Sequence, residues 1–210
     1  MSWHEVYKKG LWNNVDEYPE LDEIISLCKS KDERIIDIGC SYGRLSMPLA
    51  KLGFYVVGVD IAEEPIRVLG QKREGMRNLS VCCCEATKLP FNANLFNGCI
   101  SINAIYHSVY EDICRSIKEI ERVLVPGGWF YGTFLSKEDW KYGVGECLGK
   151  DTFLSIDGAD PGVPHWFAAY QDIEEIFSRW QCIQIRHDKS ITSLGVSAHW
   201  TVTGILDKSN

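Results

Sequence analysis

The sequence has no apolar run that approaches the roughly 18 residues a helix needs to cross a membrane. Its first ten residues, MSWHEVYKKG, lack the apolar core of a secretory signal peptide. It also has no internal repeat and no low-complexity tract. These absences predict a cytoplasmic protein without a membrane partner.

Positive charge is scarce as well. The 210 residues include 22 Lys and Arg against 29 Asp and Glu, which gives a net charge of −7 at pH 7 and an isoelectric point near 5.3. Proteins that bind nucleic-acid phosphates usually carry a basic surplus or a basic stripe. No DNA partner is therefore expected, and large RNA is disfavoured.

Cysteine pairs of the C-x-x-C kind are absent, although the chain has nine cysteines. Cys82, Cys83 and Cys84 are consecutive, and neighbouring residues of a strand point to opposite faces. Without a secretory signal, reduced thiols are expected, and a buried free cysteine packs as a small apolar side chain. The sequence predicts no metal site.

Length and composition favour a single domain over residues 1–210. With 45% hydrophobic and 24% charged residues, the chain can bury one core but is short for two. Residues 1–30 are predicted to form an N-terminal arm and a helix over Glu17–Lys29. Residues 136–170 show no clear periodicity and contain many Gly and Pro residues. They are predicted to form an irregular, lid-like insertion.

The stretch Arg34–Asp60 has the pattern of one β-α-β unit. Its first strand, Arg34–Ile38, is mostly apolar, as expected of a strand buried on both faces of a parallel sheet. A helix of about ten residues then leads to a second apolar strand that ends on Asp60, whose carboxylate can accept hydrogen bonds from ribose hydroxyls. Between strand and helix, the small residues that let the backbone approach a ligand are Gly39, Ser41 and Gly43.

The spacing of these small residues distinguishes between two sequence patterns of nucleotide-binding sites. The dinucleotide pattern G-x-G-x-x-G/A, counted from Gly39, requires a small residue where the chain has Arg44. The pattern acid-x-G-x-G-x-G, counted from Asp37, fits except that Ser41 replaces the middle glycine. This second pattern resembles the first motif of the class I S-adenosylmethionine-dependent methyltransferases. An NAD(P)-dependent oxidoreductase is the disfavoured alternative.

Later segments resemble the same family in the same order. Glu85-Ala86 follows a strand predicted at Leu79–Cys83 and resembles the family's acid-Ala pair. The run Glu121–Gly128 resembles its helix-to-strand junction, where Pro-Gly-Gly ends a helix. Asn97 departs from the aspartate that is usual before the fourth strand. The branch of the family that the chain resembles is the small-molecule methyltransferases of types 11 and 25.

The remaining patterns predict an α/β fold. The other expected elements are helices over Glu63–Arg73, Tyr110–Leu124 and Gln171–Arg179, and strands over Leu95–Asn103, Trp129–Leu135, Gln181–His187 and Ala198–Leu206. No helical pattern separates the last two strands, which favours an antiparallel pair. The resemblance implies a doubly wound, Rossmann-like sheet of seven strands, order 3-2-1-4-5-7-6, with the last strand antiparallel.

The resemblance implies that the cofactor is S-adenosyl-L-methionine and the product S-adenosyl-L-homocysteine. The residues implied to bind it are Asp37, Gly39, Ser41 and Gly43 at the methionine and ribose, Asp60 at the ribose hydroxyls, Ile61, Glu85 and Ala86 at the adenine, and Asn103 at the methionine end. An N-terminal arm covers the cofactor in many members. Here the aromatic residues Trp3, Tyr7 and Trp12 either form such a cover or clasp the core.

A small-molecule methyl acceptor is the expected partner, and the protein is expected to be a monomer or a homodimer. The loop that contains Tyr106 and His107 follows the fourth strand, where doubly wound folds bind their ligands. His107 and His165 are candidates for a catalytic base, because imidazole titrates near neutral pH. Tyr106 is a candidate to face the cationic sulfur of the cofactor. A non-catalytic protein that binds the cofactor as a sensor or docking module is the alternative.

Overall fold

The computed structural model describes residues 2–10, 18–156 and 160–208. Trp12 and Glu17, which belong to the predicted arm and its helix, lie outside these ranges. The helices of the described residues are α1 (Trp3–Lys8), α2 (Leu21–Leu27), α3 (Ser46–Lys51), α4 (Glu63–Lys72), α5 (Tyr110–Val123) and α6 (Tyr170–Ile176). The strands are β1 (Arg34–Ile38), β2 (Tyr55–Asp60), β3 (Leu79–Cys83), β4 (Phe96–Ser101), β5 (Leu124–Ser136), β6 (Glu146–Gly149), β7 (Thr152–Leu154), β8 (Pro164–Ala168), β9 (Trp180–Thr192) and β10 (Gly195–Leu206).

The main sheet has the predicted order. Its strands follow one another as β3-β2-β1-β4-β5-β10-β9. Strands β1 to β5 are parallel to their neighbours, whereas β10 is antiparallel to both β5 and β9. The order 3-2-1-4-5-7-6 with an antiparallel last strand is therefore confirmed. It brings the carboxyl ends of β1, β2, β3 and β4 to one edge, where such folds bind ligands.

The inserted segment is more regular than its sequence predicts. Its strands β6, β7 and β8 form an antiparallel group, and β8 also pairs with β5. Leu135 of β5 pairs with His199 on one side and with Phe167 of β8 on the other, so β8 continues the sheet beyond the end of β4. The expectation of irregular structure is wrong because glycines of this segment, such as Gly149 and Gly162 with positive φ, serve tight turns between short strands.

Helix α3 is shorter than predicted, with six residues where about ten were expected. The proline at position 48 accounts for its start, because proline is tolerated only in the first turn of a helix. Gly53, at φ 99°, ends the segment two residues after the helix. No helix within the described ranges is long and apolar enough to span a membrane.

The core lies on both faces of the sheet. Alternate residues of β5 point to opposite faces, so Phe130 packs with α5 and α6 while Trp129 packs with α2, α3 and α4. Both side chains are almost fully buried. Burial on each face fixes the register of β5, and with it the position of the loops at the ligand-binding edge.

Candidate active site

The turn after β1 requires glycine at position 39. Gly39 has φ 74°, and a Cβ atom built there would lie 2.3 Å from the Cβ atom of Ala104, which follows β4. Its backbone N–H donates to the carbonyl oxygen of Val59 at 2.8 Å, so the turn is fastened to β2. Gly39 therefore allows the loops after β1, β2 and β4 to meet closely.

Ser41 and Gly43 continue this turn with different surroundings. Ser41 also has a positive φ, 50°, and faces the cavity described below. Gly43, at φ 88°, lies against helix α4, where an added Cβ atom would come within 2.4 Å of Leu69. Gly43 thus serves the packing of the turn on the helix and does not line the cavity.

Asp60, at the end of β2, is buried and braces the turn. Its Oδ2 atom accepts a hydrogen bond from the backbone N–H of Ser41 at 3.0 Å, and its Oδ1 atom accepts one from that of Ala62 at 2.9 Å. Burial raises the pKa of this carboxyl group, and the backbone hydrogen bonds oppose that rise. Each carboxylate oxygen keeps a further lone pair for a ligand hydroxyl.

Asp37, on β1, is a second buried carboxyl group on the same cavity. It accepts a hydrogen bond from the Ser46 hydroxyl at 2.6 Å. Burial raises its pKa to about 6, although the bond from Ser46 and the charge of Arg44 act in the other direction. A cationic ligand nearby would stabilise the charged form of this buried carboxyl group.

These residues surround one cavity of about 580 Å³ at the carboxyl ends of the parallel strands. The volume falls in the range of roughly 300–1,000 Å³ that is usual for small-molecule sites. The predicted cofactor residues that line it are Asp37, Gly39, Ser41, Asp60, Ile61, Glu85, Ala86 and Asn103. Among the residues predicted to bind the cofactor, Gly43 alone lies outside its wall.

The N-terminal arm forms one wall of this cavity. Trp3 and Tyr7 of α1 both line it. Tyr7 is buried, and its pKa is raised by burial and by the nearby carboxylate of Asp60. A capping box between Ser2 and Glu5 begins the helix. The arm therefore covers the ligand-binding edge, as it would in either of the two roles proposed for it.

Arg44, the residue that breaks the dinucleotide pattern, belongs to the wall as well. Its guanidinium group donates to the carboxylate of Glu20 at 2.9 Å, and both residues line the cavity. This ion pair connects the turn after β1 to the segment before α2. A small residue at position 44 would remove it.

The loop after β4 carries the predicted residues Asn103, Tyr106 and His107. Asn103 has φ 50°, and its side-chain oxygen accepts hydrogen bonds from the hydroxyl of Thr133 at 3.1 Å and from that of Tyr106 at 3.2 Å. Tyr106 is buried and does not line the cavity. Its hydroxyl is thus used to hold the amide of Asn103 at the cavity wall.

His107 also lines the cavity and contacts the arm. The rings of Trp3 and His107 meet edge to face with centroids 4.8 Å apart. The side chain is only 4% exposed, and neither ring nitrogen has a hydrogen-bonding partner among the described residues. Burial lowers the pKa of His107 well below its usual value, and the neighbouring His165 lowers it further.

His165, on β8, lies behind His107 and does not line the main cavity. Its Nε2 atom is 3.0 Å from Oδ2 of Asp160, a buried residue that the sequence did not single out. The same Asp160 oxygen is 3.7 Å from Nδ1 of His107. No spacing in the sequence links Asp160 to His107, because the insertion folds back onto the loop after β4.

Residues 36–132 match a family of methyltransferase domains. This segment contains the turn after β1, Asp60, the acid-Ala pair and the loop after β4, which the fold brings around one cavity. This segment is a methyltransferase domain of the class I, S-adenosylmethionine-dependent kind.

Solved structures share the fold of this chain. One from Methanosarcina mazei, described as an S-adenosylmethionine-dependent methyltransferase, superposes with a TM-score of 0.76 at 22% identity, covering 92% of this chain and 99% of that one. The 1,6-didemethyltoxoflavin N1-methyltransferase of Burkholderia thailandensis, solved with bound S-adenosylhomocysteine, has a TM-score of 0.67 at 13% identity, covering 98% of this chain and 84% of that one. At these identities the likeness shows the fold alone.

Among curated proteins, the chain resembles the mitochondrial ubiquinone biosynthesis O-methyltransferase of Rattus norvegicus. The two are 30% identical over 151 residues, which is 69% of this chain and 42% of the rat protein. The chain spans between 30% and 56% of the length of the first curated relatives that it matches. Such partial matches do not identify a methyl acceptor.

Proposed function

We propose that the chain binds S-adenosyl-L-methionine and transfers its methyl group to a small-molecule acceptor. The observation that carries this proposal is that the residues implied to bind the cofactor, Gly43 apart, line one cavity of about 580 Å³. They come from the ends of β1, β2, β3 and β4, which is where open α/β sheets bind ligands.

Each part of the cofactor would meet a different set of the residues that line the cavity. Asp60 would accept hydrogen bonds from the ribose hydroxyls with the lone pairs left by its two backbone partners. Ile61, which is 53% exposed, would lie against the adenine, with Glu85 and Ala86 at the edge of that ring. Asp37 would attract the ammonium group of the methionine part. Gly39 leaves the space that a side chain would otherwise fill.

The bound cofactor supplies a methyl group already activated by a positive sulfur, which a nucleophilic atom of the acceptor displaces in line. The protein's contribution is then to position the two molecules and to exclude water. Trp3 and Tyr7 would exclude water, since they form the wall that faces the sheet edge. Asn103, held by Thr133 and Tyr106, would fix the methionine end.

The acceptor would occupy the end of the cavity that His107 lines. The wall there includes Trp3, Ser108 and Asp112, a mixture of aromatic and polar groups that suits a small polar molecule with an apolar part. Asp160 and His165 stand behind His107. The sequence-based assignment of proton removal to His107 or His165, and of a sulfonium contact to Tyr106, stays a prediction.

Calorimetry with S-adenosylhomocysteine and transfer of a labelled methyl group test the proposal. The purified chain should bind S-adenosylhomocysteine and not NAD(H) or NADP(H), and it should label at least one member of a panel of phenols, thiols and amines. Tight binding without labelling of any acceptor would favour the non-catalytic alternative. Binding of a nicotinamide cofactor instead would overturn the proposal.

A further inference from the structure

His107, Asp160 and His165 form the group of side chains that the proposed function does not use. Each offers one nitrogen or oxygen atom, and these three atoms all lie within 4.8 Å of one another. The residues come from three places: the loop after β4, the turn before β8, and β8 itself. All three side chains are at most 4% exposed.

The two separations that involve Asp160 are close to those of a metal-binding site. Ligands bound tetrahedrally at about 2.0–2.1 Å from a metal such as Zn²⁺ are about 3.3 Å apart. Oδ2 of Asp160 is 3.0 Å from Nε2 of His165 and 3.7 Å from Nδ1 of His107. Small rotations of the rings would therefore equalise the distances around a common ion.

The ring of His107 gives evidence for a bound ion that does not depend on these distances. Both of its ring nitrogens are buried and neither has a hydrogen-bonding partner among the described residues. Leaving a buried polar group unpaired costs about 1–3 kcal/mol. A cation held by one ring nitrogen would give that atom a partner.

The surroundings hold the other two ligands in place. Asp160 is also bonded through Oδ1 to the hydroxyl of Ser155 at 3.3 Å, and its backbone carbonyl accepts from the N–H of Val163 at 3.1 Å. The backbone N–H of Trp166, next to His165, donates to the carbonyl of Tyr106 at 2.9 Å. This bond ties β8 to the loop that carries His107. Partners of this kind orient ligands in metal sites.

We propose that His107, Asp160 and His165 bind one divalent first-row transition-metal ion of the Zn²⁺ type at the acceptor end of the cavity. Two imidazoles and one carboxylate suit Zn²⁺, Fe²⁺ or Co²⁺ better than Mg²⁺ or Ca²⁺, which prefer oxygen ligands. Because His107 lines the cavity, the ion would lie next to the cavity wall, and an acceptor that reached a remaining coordination position would bind it directly. This assigns to the histidines a role other than the proton removal expected from the sequence.

If the proposed function holds, a metal ion at this position would also act on the acceptor. An oxygen or sulfur atom bound to the ion would lose its proton more easily, since a bound divalent cation lowers the pKa of its ligand. The acceptor class is then a small molecule with an ionisable hydroxyl or thiol group. The released proton passes to solvent, and the acceptor's anionic atom remains on the metal.

Titration of the metal-free full-length chain with Co²⁺ tests the site by visible absorption and does not require activity. One equivalent should produce the d–d bands of a nitrogen- and oxygen-bound Co²⁺ ion, and Zn²⁺ should displace them. Asp160→Asn and His107→Gln should weaken the affinity by more than the roughly 10–100-fold that loss of an outer partner costs. His4→Gln, which alters a histidine of α1 outside the cluster, is the matched control and should bind Co²⁺ as the unaltered chain does.

Absence of the bands, retention of them in Asp160→Asn, or intense near-ultraviolet bands of cysteine ligation would each overturn the inference. Circular dichroism and urea unfolding verify that the variants fold. Calorimetry with S-adenosylhomocysteine separates the two proposals. Cofactor binding without Co²⁺ binding defeats the metal site alone, whereas Co²⁺ binding without cofactor binding defeats the proposed function alone.

Discussion

The two ends of the cavity are built in different ways. The proposed cofactor end is made mostly of residues close in sequence, from Asp37 to Ile61, joined by hydrogen bonds between backbone and carboxylate. The acceptor end brings Trp3 of the arm to His107, with Asp160 and His165 of the insertion behind that ring. One end is formed by residues of a single local motif, and the other by residues that are far apart in the sequence.

This difference indicates which side chains of the cavity can vary. The turn after β1 leaves little room, because a Cβ atom added at Gly39 would clash with Ala104 and one added at Gly43 would clash with Leu69. The acceptor end is joined by contacts between separate elements, so its side chains can change without altering the sheet. A cofactor site that stays fixed and an acceptor site that varies are what a family with one cofactor and many acceptors requires.

The largest expected effect comes from Gly39→Ala, compared with Gly53→Ala. Both glycines have positive φ, 74° and 99°, but an added Cβ atom meets Ala104 at position 39 and nothing within 4 Å at position 53. Backbone strain should cost each variant about 1–3 kcal/mol, and overpacking should cost Gly39→Ala about 1–3 kcal/mol more. Urea unfolding measures the free energies.

The same pair of variants tests the cofactor end. Calorimetry should find the affinity of Gly39→Ala for S-adenosylhomocysteine reduced about 100-fold, which corresponds to nearly 3 kcal/mol. Gly53→Ala should bind it unchanged, since Gly53 follows α3 away from the cavity. Equal affinities for the two variants would show that the turn does not contact the cofactor.

Asp60→Asn and Asp139→Asn form a second matched pair. Each aspartate is buried and accepts hydrogen bonds from two backbone N–H groups, at 3.0 and 2.9 Å for Asp60 and at 3.0 and 2.9 Å for Asp139. In both variants an amide NH₂ group would face an N–H group. Each should therefore lose about 1–3 kcal/mol of unfolding free energy.

Cofactor affinity should distinguish the two variants, because only Asp60 lines the cavity. Loss of charged hydrogen bonds to the ribose should weaken S-adenosylhomocysteine binding about 10–100-fold in Asp60→Asn. Asp139→Asn should bind as the unaltered chain does. If both variants lose stability and neither loses affinity, the role of Asp60 is only to brace the turn.

The pH dependence of binding should follow Asp37. Its pKa in the folded protein is about 6, raised by burial from 3.8, and a bound ammonium group favours its charged form. S-adenosylhomocysteine affinity should therefore fall as pH drops below about 6, by up to about tenfold per unit. Calorimetry between pH 5 and pH 7.5 measures this fall, and Asp37→Asn should reduce it. A fall of equal size in Asp37→Asn would assign the dependence to another group, such as Asp60.

The same carboxyl group should affect stability in the opposite direction. A pKa raised on folding means that the folded state keeps the proton of Asp37 when the unfolded chain has lost it. The contribution of Asp37 to unfolding free energy should then decrease between about pH 4 and pH 6, by up to about 1.4 kcal/mol per unit. Urea unfolding of the unaltered chain and of Asp37→Asn over this range measures the contribution.

The same contrast explains how much the sequence could predict. The strands of the main sheet and the small-residue turn were predictable, because apolar runs and turn glycines are local patterns, whereas the order of the strands followed from the resemblance to the family. The strands of the insertion were not, since β8 is stabilised by pairing with Leu135 and Ser136 of β5. Asp160 carries no local signal either, because its partners are set by tertiary contacts. The short length of α3 could have been predicted from the proline at position 48, but the apolar periodicity indicated a longer helix.

The smallest effect is expected for Trp3 of the N-terminal arm. Its size distinguishes an arm that covers the bound cofactor from one that only packs on the core. Trp3 lines the cavity and its ring meets that of His107, whereas Trp140, half-buried like Trp3, lies in the insertion outside the cavity wall. If the arm covers the cofactor, Trp3→Ala should release S-adenosylhomocysteine about 3–10-fold faster, the equivalent of one aromatic contact. Stopped-flow displacement measures the rate. An equal rate in Trp3→Ala and Trp140→Ala, with stability lost in both, would make the arm a clasp.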